Sequence, residues 1–376
     1  MRVVVVGAGL GGLTLAHGLR RAGVDVVVYE RDGALGRQQG VSLHIDDRGA
    51  SALRACLPPA HAAMVEATMG GPREQTLTLS DRDGELTVTG TRSSDGMAGR
   101  ARPGRQVHRP LLRAVLLTEL DDVVRFGAEF TRFEQRADGT VRVWFADGRT
   151  DTADVLVGAD GVGSAVRRQY LPDVRVVDVG RRMIMGATPL RAVAGTGLPG
   201  LIGDSPASAH VRGTMMALGV LRFTQPPVAA RRQWLSALHR SAVAEIEDYV
   251  MWAVPTTQER LGSAAVWRLA KELTMDLPSA LRLVVAEAWP DVTVPLRVGV
   301  IPPMPAWPAS PVTVIGDAIH LAPGFGGNLA MQDARHLCEA LVEAYRGRFD
   351  LLDAIGAYED TMRRNSFTPA AAKANT

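Results

Sequence analysis

Val3, Val4, Val5 and Val6 form an unbroken β-branched run, and Gly7-Ala8-Gly9-Leu10-Gly11-Gly12 follows at once. A segment apolar at every position suits a central parallel strand buried on both faces. Glycines 7, 9 and 12 give the spacing G-x-G-x-x-G, after which Leu13, Ala16 and Leu19 recur at helical intervals. Val26 to Tyr29 read as the next strand, and Glu30 closes it roughly twenty residues after the glycines.

Each part has a physical task. One glycine makes the tight turn, a second lets backbone approach a pyrophosphate, and a third lets helix and strand touch. The helix N-terminus offers unpaired N–H groups and the positive end of its dipole. A carboxylate at position 30 accepts ribose hydroxyls and repels a 2′-phosphate, so NAD or FAD is preferred over NADP. The alternatives are a bare glycine-rich turn or an uncleaved secretory segment. The second conflicts with His17 and the glycines inside the apolar stretch, which continues as a strand at 25–30.

A similar turn lies near the other end. Val312 to Ile315 read as a buried strand delivering Asp317 to the turn Gly316-Asp317-Ala318-Ile319-His320-Leu321-Ala322-Pro323. Gly324, Gly326 and Gly327 follow, and a helix begins near Asn328. Taken alone, this is a second anion-binding helix terminus. A third turn, Gly158-Ala159-Asp160-Gly161, leaves the buried strand Asp154-Val155-Leu156-Val157 and leads to a helix start at Ser164. In isolation it reads equally as a strand-to-helix loop with an N-cap serine.

Composition narrows the class. Net charge is +2 over 376 residues, so no nucleic-acid partner is suggested. No apolar run reaches membrane-spanning length, and no lipidation signal is visible. Of 42 basic residues only Lys271 and Lys373 are lysine, which we read as genomic base composition. Cys56 and Cys338 are too few for a disulfide framework, and no metal site is offered. Both read as core thiols in a reducing, cytoplasmic setting.

Between these turns, residues 1–70 read as βαβ followed by a looser segment. Residues 72–100 alternate around Asp83-Gly84 as an antiparallel hairpin. A helix is expected over 108–120, strands at 123–126 and 141–145, and a turn at Asp147-Gly148. From 174 to 300 the pattern predicts a mostly antiparallel sheet, with strands at 215–223 and 249–254 and a helical stretch over 229–247. Residues 301–311 contain five prolines and read as a hinge. A last helix carries the stripe Ala334, Leu337, Cys338, Leu341, Val342 and Tyr345, and the tail after Phe367 is expected to fray.

Asp154 to Arg167, with both glycine turns in order around it, resembles the A-D-x-x-V-G-A-D-G-x-x-S-x-V-R signature of FAD-dependent class A monooxygenases. These are the aromatic hydroxylases with the p-hydroxybenzoate hydroxylase fold, and the resemblance spans residues 1 to about 345. The implied fold class is α/β: a Rossmann-like FAD-binding domain with an inserted, mostly antiparallel substrate sheet and a C-terminal helix. The FAD-binding domain would comprise 1–71, 101–173 and 301–376, and the substrate domain 72–100 and 174–300.

The resemblance also implies roles. Gly7, Gly9, Gly12 and Glu30 would hold the ADP half of FAD, with Arg31 beside the adenosine. Arg109 matches the arginine at the flavin's phosphate region. Asp160 and Gly161 match the motif tied to FAD and NAD(P)H, Asp317 the aspartate on the ribityl chain, and Arg37 the arginine near the isoalloxazine. Gly324, Gly327 and Asn328 would line the flavin end. This loop departs from the family's pattern: Asn328 arrives about three residues early, which shortens the segment expected beside the pyrimidine edge.

In this family NAD(P)H reduces tightly bound FAD, and O2 adds to form a C4a-hydroperoxyflavin that oxygenates an electron-rich substrate. An aromatic, polycyclic or polyketide-like small molecule is implied, in secondary metabolism such as antibiotic biosynthesis, by a monomer or homodimer. A phenol benefits from a nearby base or acceptor, for which His44, His210, Arg212 and His320 are candidates by type and rough placement. Met215, Met216, Phe223 and Trp252 are candidates to line the substrate pocket, although alternation on a core sheet explains them as well. A flavoprotein dehydrogenase or reductase of the same fold is the alternative function. A ligand-sequestering protein without turnover is a third.

Overall fold

The computed structural model describes residues 1–34, 40–94, 102–257, 263–321 and 326–366. A five-stranded parallel sheet sits at the centre, in the order Val312–Val314, Val155–Gly158, Arg2–Val6, Asp25–Glu30, Val124–Phe126. The valine run occupies the middle position, paired on both sides, with Val3, Val4 and Val5 fully buried. Continuous apolar character is what such a position requires.

Three helices pack together beside this sheet: Leu10–Arg21, Asp47–Cys56 and the long Gly326–Tyr345. Small residues set the approach of the first and third. A Cβ at Gly11 would lie 3.0 Å from the Ala330 carbonyl, and one at Gly316 would lie 2.7 Å from the Ala330 methyl. Both N-termini therefore arrive side by side at the C-terminal edge of the sheet, where open α/β folds bind ligands.

A seven-stranded sheet forms the other large layer, in the order 294–300, 177–189, 249–256, 214–221, 207–211, 75–82, 85–93. Its pairings are antiparallel except between 207–211 and 75–82. The hairpin turn falls at Asp83-Gly84 as expected, both residues having positive φ. One face, with Ile184, Met216, Leu218, Val220, Val250, Trp252 and Val254, is sealed by the helices Ser263–Leu273 and Ser279–Ala286. The opposite face carries Met183, Met185, Met215, Ala217 and Met251.

Several local expectations are corrected. The helical stretch over 229–247 is only Pro227–Trp234 plus a short 3-10 turn at Arg240–Ala242. Arg231 accounts for this, because its guanidinium holds the Leu238 carbonyl at 2.5 Å and the Ser236 carbonyl at 2.6 Å. The looser segment after residue 40 contains Ser42–Asp46, which pairs with Gly104–His108 in a small separate sheet, and the helices Asp47–Cys56 and Pro59–Ala67. The stripe of Gly326–Tyr345 is buried through Leu341, but Tyr345 is 46% exposed. That helix is not the last. Leu351–Ser366 follows, burying Ala354, Ile355, Tyr358 and Met362 on one face. The tail after Phe367, expected to fray, lies outside the described residues. Among the described residues no helix is long and apolar enough to cross a membrane.

Candidate cofactor and substrate site

Gly7 leaves the central strand at φ +113, a conformation that favours glycine, and its amide bonds the Tyr29 carbonyl at 2.8 Å. A Cβ there would strike the Ala159 carbonyl, and one at Gly12 would strike the Gly7 carbonyl. These two glycines are demanded by the protein itself. Gly9 differs: a Cβ there would meet nothing within 4 Å, and as N-cap it offers no side chain to the first helical amides. The helix also has no acidic residue in its first turn. An uncapped N-terminus facing open space fits a pyrophosphate. Glu30 is in place, accepting from the Ala8 amide at 2.8 Å and the Asp32 amide at 2.9 Å.

Asp160 turns inward. Its carboxylate accepts from the Ser164 hydroxyl at 2.5 Å and the Ala165 amide at 2.7 Å, so it anchors the Ala165–Tyr170 helix. Gly161 beside it has φ +74 with open space where a side chain would be. Arg167, in the same motif, is a positioning residue the sequence reading passed over. Buried to 4% exposure, it donates to the Ala318 carbonyl at 2.7 Å and so fixes the turn that carries Asp317. Its signal was the arginine closing the quoted signature.

Asp317 and Arg109 lie close enough for each to feel the other's charge. Burial pushes the Asp317 carboxyl up from its ordinary value, against the opposing pull of His320 and Arg109. Burial likewise lowers the Arg109 guanidinium, with Asp317 working the other way. A Cβ at Gly326 would lie 2.5 Å from an Asp317 carboxylate oxygen, so the Gly326–Tyr345 helix starts against that carboxylate. Arg113, one turn after Arg109, feels the Glu30 and Asp32 carboxylates and donates to the Ala34 carbonyl at 3.0 Å. It too was missed, and the i,i+4 arginine spacing was the available signal.

Asn328 uses its side chain on the protein. Its Oδ1 accepts from the Asp46 amide at 3.0 Å and its Nδ2 donates to the His44 carbonyl at 2.8 Å, clasping the Ser42–Asp46 strand. Gly327 lies against Leu43 and Leu10. Arg31 is exposed, 3.9 Å from Asp32. Arg37 and Gly324 lie outside the described residues.

The four polar candidates do not converge. His320 is 2% exposed, its Nε2 2.5 Å from Asp333, inside the scaffold. Arg212 sits in the turn between two strands at φ +49, donating to the Asp276 carbonyl. His210 is exposed on a strand and pairs with Ser208. His44 is nearest the helix N-terminus through its carbonyl, but its ring lies 2.9 Å from the Arg102 carbonyl, and burial lowers its pKa. His108, in the same small sheet, is lowered to about 4 by burial and stays neutral.

Of the apolar candidates, Trp252 and Met216 lie on the helix-covered face, at 0% and 1% exposure. Strand alternation sends them away from Met215, which is half-buried on the other face. Register builds that other face in rows. Met185, Ala253, Ala217, Ser208 and Thr78 form one; Ala187, Met251 and Gly219 form the next. The face meets the cofactor half through Val41, Ala187, Leu221 and Tyr249, to which Phe223 adds a partly buried ring. The Tyr249 hydroxyl bonds the Val41 carbonyl at 3.0 Å, and a Cβ at Gly40 would be 3.1 Å from the Met185 sulfur.

Glycine-led helix N-termini at the edge of a parallel sheet, beside a half-open methionine-lined face, are the features of a dinucleotide-binding fold. Residues 5–59 match the NAD(P)-binding Rossmann-like domain and residues 304–364 the FAD binding domain. The dual O-methyltransferase/FAD-dependent monooxygenase CTB3 of Cercospora beticola is 30% identical over 405 residues, covering 96% of this chain and 44% of that relative. The FAD-dependent urate hydroxylase of Klebsiella pneumoniae is 32% identical over 197 residues, 52% of this chain and 46% of the relative. A solved structure from Photorhabdus luminescens, assigned as an FAD-containing monooxygenase, superposes with a TM-score of 0.81 at 28% identity, covering 100% of this chain and 98% of that one. The chain carries both of these nucleotide-binding domains and is similar over most of its length to FAD-dependent monooxygenases. It spans less than half the length of the two named relatives above.

Proposed function

We propose that this protein is a monooxygenase that uses FAD, NAD(P)H and O2 to oxygenate an aromatic or polyketide-like small molecule. The observation that carries this reading is the junction at Val41, Gly40 and Met185, where the glycine-led cleft meets the methionine-lined sheet face. Bound FAD supplies hydride acceptance and oxygen activation. In this reading Gly7, Gly9 and Gly12 with the Leu10–Arg21 N-terminus hold the pyrophosphate, Glu30 the ribose, and Arg109 and Asp317 the ribityl and phosphate region. Asp160 and Asn328 orient the backbone around it. Residues 1–71, 101–173 and 301–376 form the cofactor domain, and 72–100 with 174–300 the substrate domain.

Methionine suits such a face, since its unbranched, polarizable side chain adapts to flat polycyclic surfaces. The apolar wall also excludes water from the reacting centre. Ser208, Thr78 and His210 along one edge supply hydrogen bonds to a phenol or enol. The test is NAD(P)H oxidation by the FAD-loaded protein across a panel of phenols, with urate included because one relative is a urate hydroxylase. Substrate-stimulated oxidation with 18O from O2 in the product is expected. Protein that takes up no FAD would overturn the reading. Stimulated oxidation without labelled product would favour a dehydrogenase or reductase of this fold.

A further inference from the structure

Cys56 and Cys338, the only cysteines in the chain, are 282 positions apart and belong to different helices. The fold nevertheless brings their sulfurs together against Gly18. A Cβ at that glycine would lie 2.6 Å from the Cys338 sulfur and 3.3 Å from the Cys56 sulfur. The two thiols are free and share a hydrogen bond. Gly18 lies mid-helix in Leu10–Arg21, where alanine would form helix better, so the missing methyl is space given to this pair.

We propose that Cys56 and Cys338 are a modification site: a vicinal dithiol that a peroxide converts to an intramolecular disulfide joining Asp47–Cys56 to Gly326–Tyr345. The Cys56 sulfur attacks the peroxide O–O bond, giving a sulfenic acid and one water. The Cys338 thiol then attacks that sulfur, forming the S–S bond and releasing a second water. Two electrons leave the thiols and reduce one hydrogen peroxide. The Cys338 S–H, donating to the Cys56 sulfur, lowers the Cys56 thiol and favours this order of attack. Sulfurs at hydrogen-bond range need only a small movement to reach the disulfide length of about 2.05 Å. The bond would tie the Gly326–Tyr345 helix, whose start lies against Asp317, to the one that follows the Asn328-held strand, stiffening the cofactor half.

The experiment exposes the FAD-loaded full chain to hydrogen peroxide, then denatures it in an alkylating agent and reads the intact mass. Both thiols are expected to take alkyl groups before treatment and neither after. The treated protein should be about 2 Da lighter and revert with dithiothreitol. Peptide mapping of the wild-type protein should find one linked fragment containing positions 56 and 338, a readout independent of any variant's folding. In C338S, Cys56 should instead gain oxygen and show no mass loss. Two alkylatable thiols after treatment, separate oxygen addition at each, or disulfide-linked dimers would overturn the proposal.

Discussion

His320 and Asp333 form a buried pair, Nε2 to carboxylate 2.5 Å, and the same Asp333 oxygen accepts the Gly316 amide at 2.9 Å. One carboxylate thus holds both ends of the turn that presents Asp317. Burial works against the His320 charge, but Asp333 outweighs it and the imidazole is raised above its ordinary value. A histidine first read as a candidate base is therefore part of the frame.

Replacing His320 by leucine leaves Asp333 buried without its cation, an expected loss of about 3–5 kcal/mol in urea unfolding. The pH dependence has a definite sign. Because the folded imidazole holds its proton more tightly, its contribution is full below about pH 6.5 and fades as pH rises through the folded value. Wild-type stability should fall above neutrality by a component that His320→Leu lacks. A variant with the wild-type pH profile would refute this.

Glu359 gives a second pH signature. Burial raises it to about 7, although it accepts the Thr313 hydroxyl at 2.8 Å. Its folded value lies above the unfolded 4.5, so stability declines as pH rises from 4.5 toward 7. Glu359→Gln should remove that slope, gaining up to about 3 kcal/mol over wild type at pH 8. Unfolding curves at pH 5 and pH 8 decide it.

The glycines of the first loop should separate fold from cofactor. Gly12→Ala drives a methyl into the Gly7 carbonyl and should cost about 3 kcal/mol or more. Gly9→Ala meets no protein atom, so apoprotein stability should change by less than about 1 kcal/mol. FAD affinity should still fall at least about tenfold, as the methyl enters the pyrophosphate space. Equal effects on stability and flavin affinity at both positions would contradict this division.

Gly18→Ala should destabilise by about 1–3 kcal/mol despite alanine's better helix propensity, because the new methyl meets the Cys338 sulfur at 2.6 Å. In a Cys338→Ala background the same change should become neutral or stabilising. The coupling from a double-mutant cycle, read by thermal unfolding, measures the contact.

Trp252 and Met251 are neighbours in sequence on opposite faces. Trp252 is fully buried and its indole donates to the Thr188 hydroxyl at 3.1 Å, so Trp252→Ala should cost about 3–5 kcal/mol. Met251→Ala should change KM for the substrate with little effect on the unfolding midpoint. A large stability loss at Met251 would mean that face is closed core.

Much of the cofactor half is local and was legible in the chain. Val3–Val6, the glycines, Glu30, Asp160 and Asp317 announce themselves because strand burial, tight turns and helix termini act over a few residues. The hairpin at Asp83-Gly84 was readable for the same reason. The Leu351–Ser366 helix was not, since half its stripe is alanine and polar residues and its burial depends on the neighbouring helix. The strand at 42–46 was equally hidden, because its partner lies some sixty residues away.

Sequence alone determined the class of ligand and the order of the strands' turns, since each depends on short-range backbone geometry. Only the tertiary structure decided which side chains stay available to a ligand. Asn328 was committed to a distant backbone, His320 to Asp333, and Trp252 to the covered face of its sheet. Cys56 and Cys338 met across 282 positions for the same reason: packing of non-local helices chooses partners that no spacing in the chain records.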